Sequence, residues 1–208
     1  MSETPIIEER ENGPLVVKGV THIRMSDGTM VEAKPVMALC RCGGSKNKPF
    51  CDGSHNNNGF QSRGGTPAGR DRLLTYEGKE VSVTFNPLLC AHAAECGRLA
   101  KHIFNASERP WVQPDNGTVD EVRAVIAACP SGALALADTD PAHLTADRPH
   151  IHIQKNGPYW VLDVASPVPP QAENMSDRKY VLCRCGKSGN KPYCDGTHRD
   201  AKWRDDAD

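Results

Sequence analysis

The sequence predicts an α+β chain in which two small β-rich modules, each stapled by metal, flank a mixed α+β domain. Three observations lead there. A cysteine–histidine phrase stands near each end: Cys40-Arg41-Cys42 with Cys51-Asp52-Gly53-Ser54-His55, then Cys183-Arg184-Cys185 with Cys194-Asp195-Gly196-Thr197-His198. The repeat extends upstream, where Asn12-Gly13-Pro14-Leu15-Val16-Val17 answers Asn156-Gly157-Pro158-Tyr159-Trp160-Val161, with a single-residue indel before the cysteines. Between the copies lies a segment with helical as well as alternating apolar spacing. Two copies at so long a period mean duplicated domains rather than a solenoid. The modules read as residues 12–62, 73–138 and 149–204. Domains this small bury little apolar surface, so metal is expected to hold them together as well as to act.

Each outer copy reads as a Gly-Pro turn, a short strand, a variable hairpin and a second strand running into Leu-Cys-Arg-Cys. Ile151-His152-Ile153 and Tyr180-Val181-Leu182 alternate as strands do. In the middle module, Glu80 to Phe85 alternates like a strand. Ala91 to Phe104 reads as a helix with Leu99, Ile103 and Phe104 on its apolar face. A hairpin is expected around Trp111 and Val112. A second helix follows over Asp120 to Ala128, with Val122, Val125 and Ile126 at helical spacing and Thr118 as its N-cap. Ala133 to Leu136 closes the domain as a strand. Ser62 to Arg72 and Asp138 to Pro149 read as linkers, Ser166-Pro167-Val168-Pro169-Pro170 as a stiff bridge, and Asp205-Asp206-Ala207-Asp208 as a solvated tail.

Nine cysteines in 208 residues are an odd count in a chain that does not open on an apolar leader, which argues against a disulfide framework. No stretch approaches the roughly 20 apolar residues that cross a bilayer. A soluble cytoplasmic protein, whose reduced thiols are available to metal, is the expectation. The net charge of −1 gives no basic footprint for nucleic acid or anionic membrane. There is no nucleotide-binding glycine loop, Ser-His-Asp set or carboxylate pair.

Cysteines two apart reach one metal across a bend, and a cysteine and histidine four apart meet another if Asp-Gly turns tightly between them. Ser54 or Thr197 would then cap a short helix at the histidine. Four donors split two and two suit either one tetrahedral zinc or a two-iron, two-sulfide cluster. The longer phrase is more specific. Cys42-Gly43-Gly44-Ser45 through Lys48-Pro49-Phe50-Cys51-Asp52-Gly53-Ser54-His55 resembles the CDGSH iron–sulfur family, the mitoNEET-like proteins. Cys185-Gly186-Lys187-Ser188 through Lys191-Pro192-Tyr193-Cys194-Asp195-Gly196-Thr197-His198 matches it again, with threonine for serine. The resemblance implies a 2Fe–2S cluster in each copy: Cys40/Cys42 or Cys183/Cys185 on the inner iron, Cys51/His55 or Cys194/His198 on the outer. The mitochondrial relatives carry an anchor and dimerise through one copy per chain; two copies here imply a pseudo-dimer within one chain. A neutral imidazole ligand raises a cluster's reduction potential over a fourth thiolate, and its second nitrogen makes that potential pH-dependent.

In the centre, Cys90-Ala91-His92-Ala93-Ala94-Glu95-Cys96 is followed at a distance by Cys129-Pro130. A tight cysteine loop with a remote Cys-Pro is ferredoxin usage, and residues 75–137 resemble a single-cluster bacterial ferredoxin. Ala93 occupies the middle ligand position, so Cys90, Cys96 and Cys129 count for a 3Fe–4S cluster, or for 4Fe–4S if His92 binds a fourth iron. Otherwise His92 is a solvent-facing neighbour, and the bland alternative is three thiols packed as small hydrophobes. Arg41 and Arg184 either donate to cluster sulfur or acceptor carboxylates, or are merely exposed. His150 and His152 share a strand face but have no third ligand near in sequence, so they read as surface residues rather than a metal clip. His22, His102 and His143 are isolated and carry no argument, and Trp111, Trp160 and Trp203 read as packing. The whole is expected to move single electrons between a reductase and an acceptor protein. The alternatives are a labile cluster donor or redox/pH sensor, and a zinc-stabilised interaction module.

Overall fold

A computed structural model describes residues 4–138 and 149–206. His143, most of the linker at 138–149 and the last two residues of the acidic tail lie outside the described residues. The fold is α+β, with strands gathered in three small sheets and few helices.

The first copy builds an antiparallel sheet from β1 (Ile6–Glu9), β2 (Leu15–Lys18) and β4 (Val36–Leu39), in that order. Its β3 (Ile23–Met25) does not join them. It runs parallel to β8 (His150–Ile153) of the second copy, pairing Ile23 with Ile151 and Met25 with Ile153. The second sheet then reads β10–β9–β8–β3, with β9 at Tyr159–Leu162 and β10 at Lys179–Leu182. Ile6 of β1 makes a parallel bridge to Ala165, the reciprocal of the β3–β8 contact. The first copy thus lends an edge strand to the second copy's sheet, and the second answers with a single bridge onto β1. Alternation explains the register: Leu15, Val17, Ile151, Ile153, Tyr159 and Val161 point inward and are buried in one shared core.

The central domain is an antiparallel sheet of β5 (Leu74–Tyr76), β6 (Val83–Phe85) and β7 (Leu134–Leu136). Helix α2 (Val119–Ala128) packs against it through Val122, Val125 and Ile126, all fully buried. Thr118 caps α2 as its spacing predicts, and Glu121 completes a capping box. The helix expected over Ala91 to Phe104 is only one short turn, α1 (Glu95–Leu99). His92 and Ala94 adopt left-handed backbone, with φ of 53° and 64°, so residues 91–94 form a loop instead. Trp111 is a packing residue, edge-on to Tyr76 and Phe85.

Strand β10 is buried at all four residues: Lys179 meets the end of α2, Tyr180 lies edge-on to Tyr193, and Val181 packs with Ala91 and Cys194. Lys179, fully buried there, donates to the carbonyls of Ile126 (2.7 Å) and Ala127 (3.0 Å) at the helix C-terminus, where the Ile126 carbonyl also accepts the Cys129 amide at 3.3 Å. Burial lowers the Lys179 pKa to about 8. The unfolded chain therefore binds more protons than the folded one between pH 8 and the ordinary lysine pKa, and stability rises with pH across that window. Lys179→Met is expected to cost about 1–3 kcal/mol by taking the ammonium donor from the buried Ala127 carbonyl and leaving that of Ile126 with the Cys129 amide. Melting curves at stepped pH would check this, with the wild-type advantage over the variant widening above pH 8.

Candidate metal centres

Each outer loop is assembled by the same small set of hydrogen bonds. In the first copy, Asp52 accepts from the Ser54 amide (3.0 Å), the Ser54 hydroxyl (2.6 Å) and the Lys46 amide (2.8 Å). In the second, Asp195 accepts from Thr197 (3.1 and 2.7 Å), Gly189 (2.9 Å) and Ala68 (3.2 Å). Ser45 donates to the Phe50 carbonyl and Ser188 to that of Tyr193, closing the bend between the cysteine pairs. Gly53 and Gly196 take left-handed backbone at the Asp-Gly turn, with φ of 89° and 87°. Ser54 and Thr197 do not cap the short helix at the histidine, as the spacing suggested. The glycines hold the cap position and the hydroxyls serve the aspartates.

These brackets set the donors in pairs. Cys40 and Cys42 lie 3.7 Å apart at sulfur, Cys183 and Cys185 3.8 Å. The Cys51 sulfur is 3.3 Å from His55 Nδ1, and that of Cys194 is 3.4 Å from His198 Nδ1. A metal–sulfur bond of about 2.3 Å places two thiolates of one tetrahedral metal about 3.8 Å apart. Each pair therefore matches one edge of a metal tetrahedron. Among the described residues, no three His, Cys, Asp or Glu side chains are placed to hold one ion together.

The amides of Gly44, Gly53, Lys187 and Gly196 point at ligand sulfurs from 3.4–3.5 Å. Such donors favour thiolate. In each inner pair one thiol also donates to the other, which lowers Cys42 to about 5 and Cys183 to about 7 while raising Cys40 and Cys185. Burial, then the Arg199 charge, lowers the His198 pKa. Burial alone would raise Asp195; donation from Thr197, Gly189 and Ala68 outweighs it and holds the carboxylate charged.

The arginines inside Cys-Arg-Cys are neither exposed nor aimed at sulfur; of the expected partners they meet carboxylates, and these belong to the chain itself, Glu9 for Arg41 and Asp205 for Arg184. Arg41 is buried and donates to the carbonyls of Gly13 (2.7 Å) and Arg10 (2.6 Å), to Glu9 and to Ser62. Arg184 does the same with Gly157, Gln154 and Asp205. Each guanidinium also lies over an aromatic ring, Phe60 for Arg41 and Tyr159 and Trp203 for Arg184. Ser62 exchanges hydrogen bonds with Asn12, and Asp205 with Asn156. Ser62 is therefore part of the module rather than a linker, and Asp205 is a structural anion rather than a solvated end. Asp205 and Ser62 each stand eleven residues after the third cysteine of their copy, and Trp203 and Phe60 nine; extending the repeat downstream reveals them.

The two outer centres adjoin. Cys42 and Cys185 meet in an antiparallel bridge, and a side chain on Gly43 or Gly186 would come within 2.6 or 2.7 Å of the opposing cysteine carbonyl. Tyr159 of the second copy donates to the Cys40 carbonyl at 2.7 Å.

Cys90, Cys96 and Cys129 line one apolar cavity with Phe85, Trp111 and Leu134. All nine cysteines are free thiols. Burial pushes the Cys90 thiol up to about 12 and raises Cys96, and the neighbouring Cys129 charge adds to both. His92 is exposed, and its ring packs over Gly196 of the second copy. His92 and Glu95 also line the cavity beside the three thiols. His152 is half-buried against Trp160, 4.8 Å between rings, rather than on the surface.

Comparison with known proteins agrees with this layout. Residues 12–56 and 156–199 match the iron-binding zinc finger CDGSH type, and residues 76–139 match the divergent 4Fe-4S mono-cluster domain. An uncharacterized protein of Escherichia coli K12, YjdI, is 42% identical over 59 residues, 28% of this chain and 78% of that protein. Its counterpart in Escherichia coli O157:H7 matches to the same extent.

Because Asp195 is buried and holds four donors, Asp195→Ala should destabilise the second loop by about 2 kcal/mol. The exposed Asp52 leaves its donors to water, so Asp52→Ala should lower the melting temperature less. Thermal unfolding of the two metal-loaded variants side by side checks the order.

Proposed function

We propose that this chain, which belongs to the CDGSH iron-binding family and carries a divergent 4Fe–4S mono-cluster domain between its two copies, is an electron-transfer protein. Cys40, Cys42, Cys51 and His55 would hold one 2Fe–2S cluster in domain 12–62. Cys183, Cys185, Cys194 and His198 would hold a second in domain 149–204. Cys90, Cys96 and Cys129 would hold a 3Fe–4S cluster in domain 73–138. The two outer modules, joined by β3 in the second copy's sheet, would act as one intramolecular pseudo-dimer between a reductase and an acceptor.

The observation that carries the reading is the pairing of donors. Each pair fits one edge of a metal tetrahedron, and among the described residues no three donors gather at one point, which favours two bridged irons over a single zinc. For the central site the three thiols on one cavity support it, and the packing of the His92 ring against Gly196 favours three cysteine ligands over a set that adds His92, although His92 and Glu95 also line the cavity. The clusters, when bound, accept and return single electrons. The chain supplies the rest: amide donors that stabilise thiolate sulfur, imidazoles that add no negative charge, and an apolar wall that keeps water from the central thiols.

Visible absorption with iron and acid-labile sulfide analysis of anaerobically purified protein tests this. The expected material is brown-red, holds about seven iron atoms per chain, and is reversibly reduced with its iron retained. An electron paramagnetic resonance signal of the oxidised protein should report the three-iron centre; its absence with about eight irons would make the central cluster 4Fe–4S. Colourless zinc protein would overturn the reading, and iron passing to an apo-ferredoxin on mixing would favour a cluster donor. His55→Cys adds a negative ligand and should lower the first site's potential by roughly 100 mV or more, read by redox titration.

A further inference from the structure

We infer that the first CDGSH loop and the lysine-lined groove beside it form the docking face for an acidic one-electron redox protein. The inference rests on the electron-transfer reading and adds where the partner binds and what charge it carries.

Two loops of the same construction differ in exposure. In the second copy Asp195, Cys194 and His198 are 1%, 2% and 8% exposed. In the first, Asp52 is exposed and Cys51, Gly53 and His55 are partly open. The central domain makes the difference. Ala91 packs with Cys194, Val181 and Trp160, and the His92 ring covers Gly196. Arg199 Nη1 clamps that cover by donating to the His92 carbonyl at 2.6 Å. Asn190 reaches the Leu88 carbonyl and Ala68 reaches Asp195. At Gly53, an added side chain would meet only the Asn56 amide at 3.8 Å. A docking protein can therefore approach the Cys51/His55 edge, whereas the Cys194/His198 edge is already occupied by this chain. The bridge between Cys42 and Cys185 joins the covered site to the open one through backbone.

The groove supplies the charge. It runs along Gly43 and Gly44, immediately after Cys42, and is lined by Lys46, Lys48, Lys187, Lys202 and Arg204. Among the described residues, none of the four lysine ammonium groups has an ion-pair partner. Of the groove's two carboxylates, Asp205 is engaged by Arg184. A chain of net charge −1 thus concentrates positive charge beside its open centre, the arrangement that steers an anionic partner into contact. The step itself is balanced simply: one electron leaves the reduced protein and reduces the oxidised partner, with no bond made and no proton moved.

The test uses the dithionite-reduced holoprotein, reoxidised in a stopped-flow instrument by ferricyanide, a trianion, or by hexaamminecobalt(III), a trication. Lys46→Glu/Lys48→Glu should slow ferricyanide about tenfold at low salt and speed the cobalt complex. Both effects should fade at high ionic strength. Lys202→Glu, across the groove and outside both ligand loops, should act in the same direction, which separates charge from damage to the loop. Lys79→Glu/Arg123→Glu, an equal change of net charge on the central domain, should leave both rates unchanged. The docking face is overturned if the control slows ferricyanide as much, or if the groove variants show no salt-sensitive effect. Should the wild type itself resist reversible reduction with iron retained, the electron-transfer reading fails instead.

Discussion

A loop that spends its length on three thiols and an imidazole has little apolar surface with which to hold its own shape. Here the shape comes from buried polar groups. Arg41 and Arg184 sit between the inner cysteines and reach back to the Gly-Pro turn, while Asp52 and Asp195 gather amides from both sides of the outer pair. A buried guanidinium is costly unless its donors are all met, and each of these meets carbonyls, a carboxylate and an aromatic face. The donors' spacing is therefore fixed by bonds the cysteines do not themselves make. In a domain with so small a core, that fixing and the metal would stabilise one another.

Duplication gives the chain both symmetry and a departure from it. Strand β3 lies on the second copy's sheet and β1 touches the segment after β9, so the two modules share one core and neither is complete alone. Glycines at 43 and 186 let the two inner cysteines approach backbone to backbone. The central domain then breaks the symmetry by settling on one copy, through Ala91, His92 and the Lys179 bond to α2. Matching Cys/His sets are thereby placed in different surroundings, one buried and one partly open.

Much of this was legible in the residues. The repeated phrase locates both outer centres, the 3.6 spacing of Val122, Val125 and Ile126 locates α2, and Thr118 its start. What failed did so for local physical reasons. Ala91 to Ala94 has helix-forming composition, yet left-handed backbone at His92 and Ala94 turns it into a ligand loop, where tertiary demand overrides propensity. Strand β3 is three residues long and its partner lies in the other copy, beyond any local pattern. Ser62 and Asp205 look like linker and tail because they are polar; their partners Asn12 and Asn156 are distant in sequence. Lys179 reads as an ordinary strand-edge lysine, and nothing nearby marks the helix end it caps.

The most direct measurement of the central claim is Mössbauer spectroscopy of protein grown on iron-57. The account predicts sulfide-bridged ferric pairs whose two irons are inequivalent, one in all-sulfur and one in mixed nitrogen–sulfur surroundings, from both ends of the chain. A spectrum holding only mononuclear iron, or bridged pairs with both irons in all-sulfur sites, would contradict it.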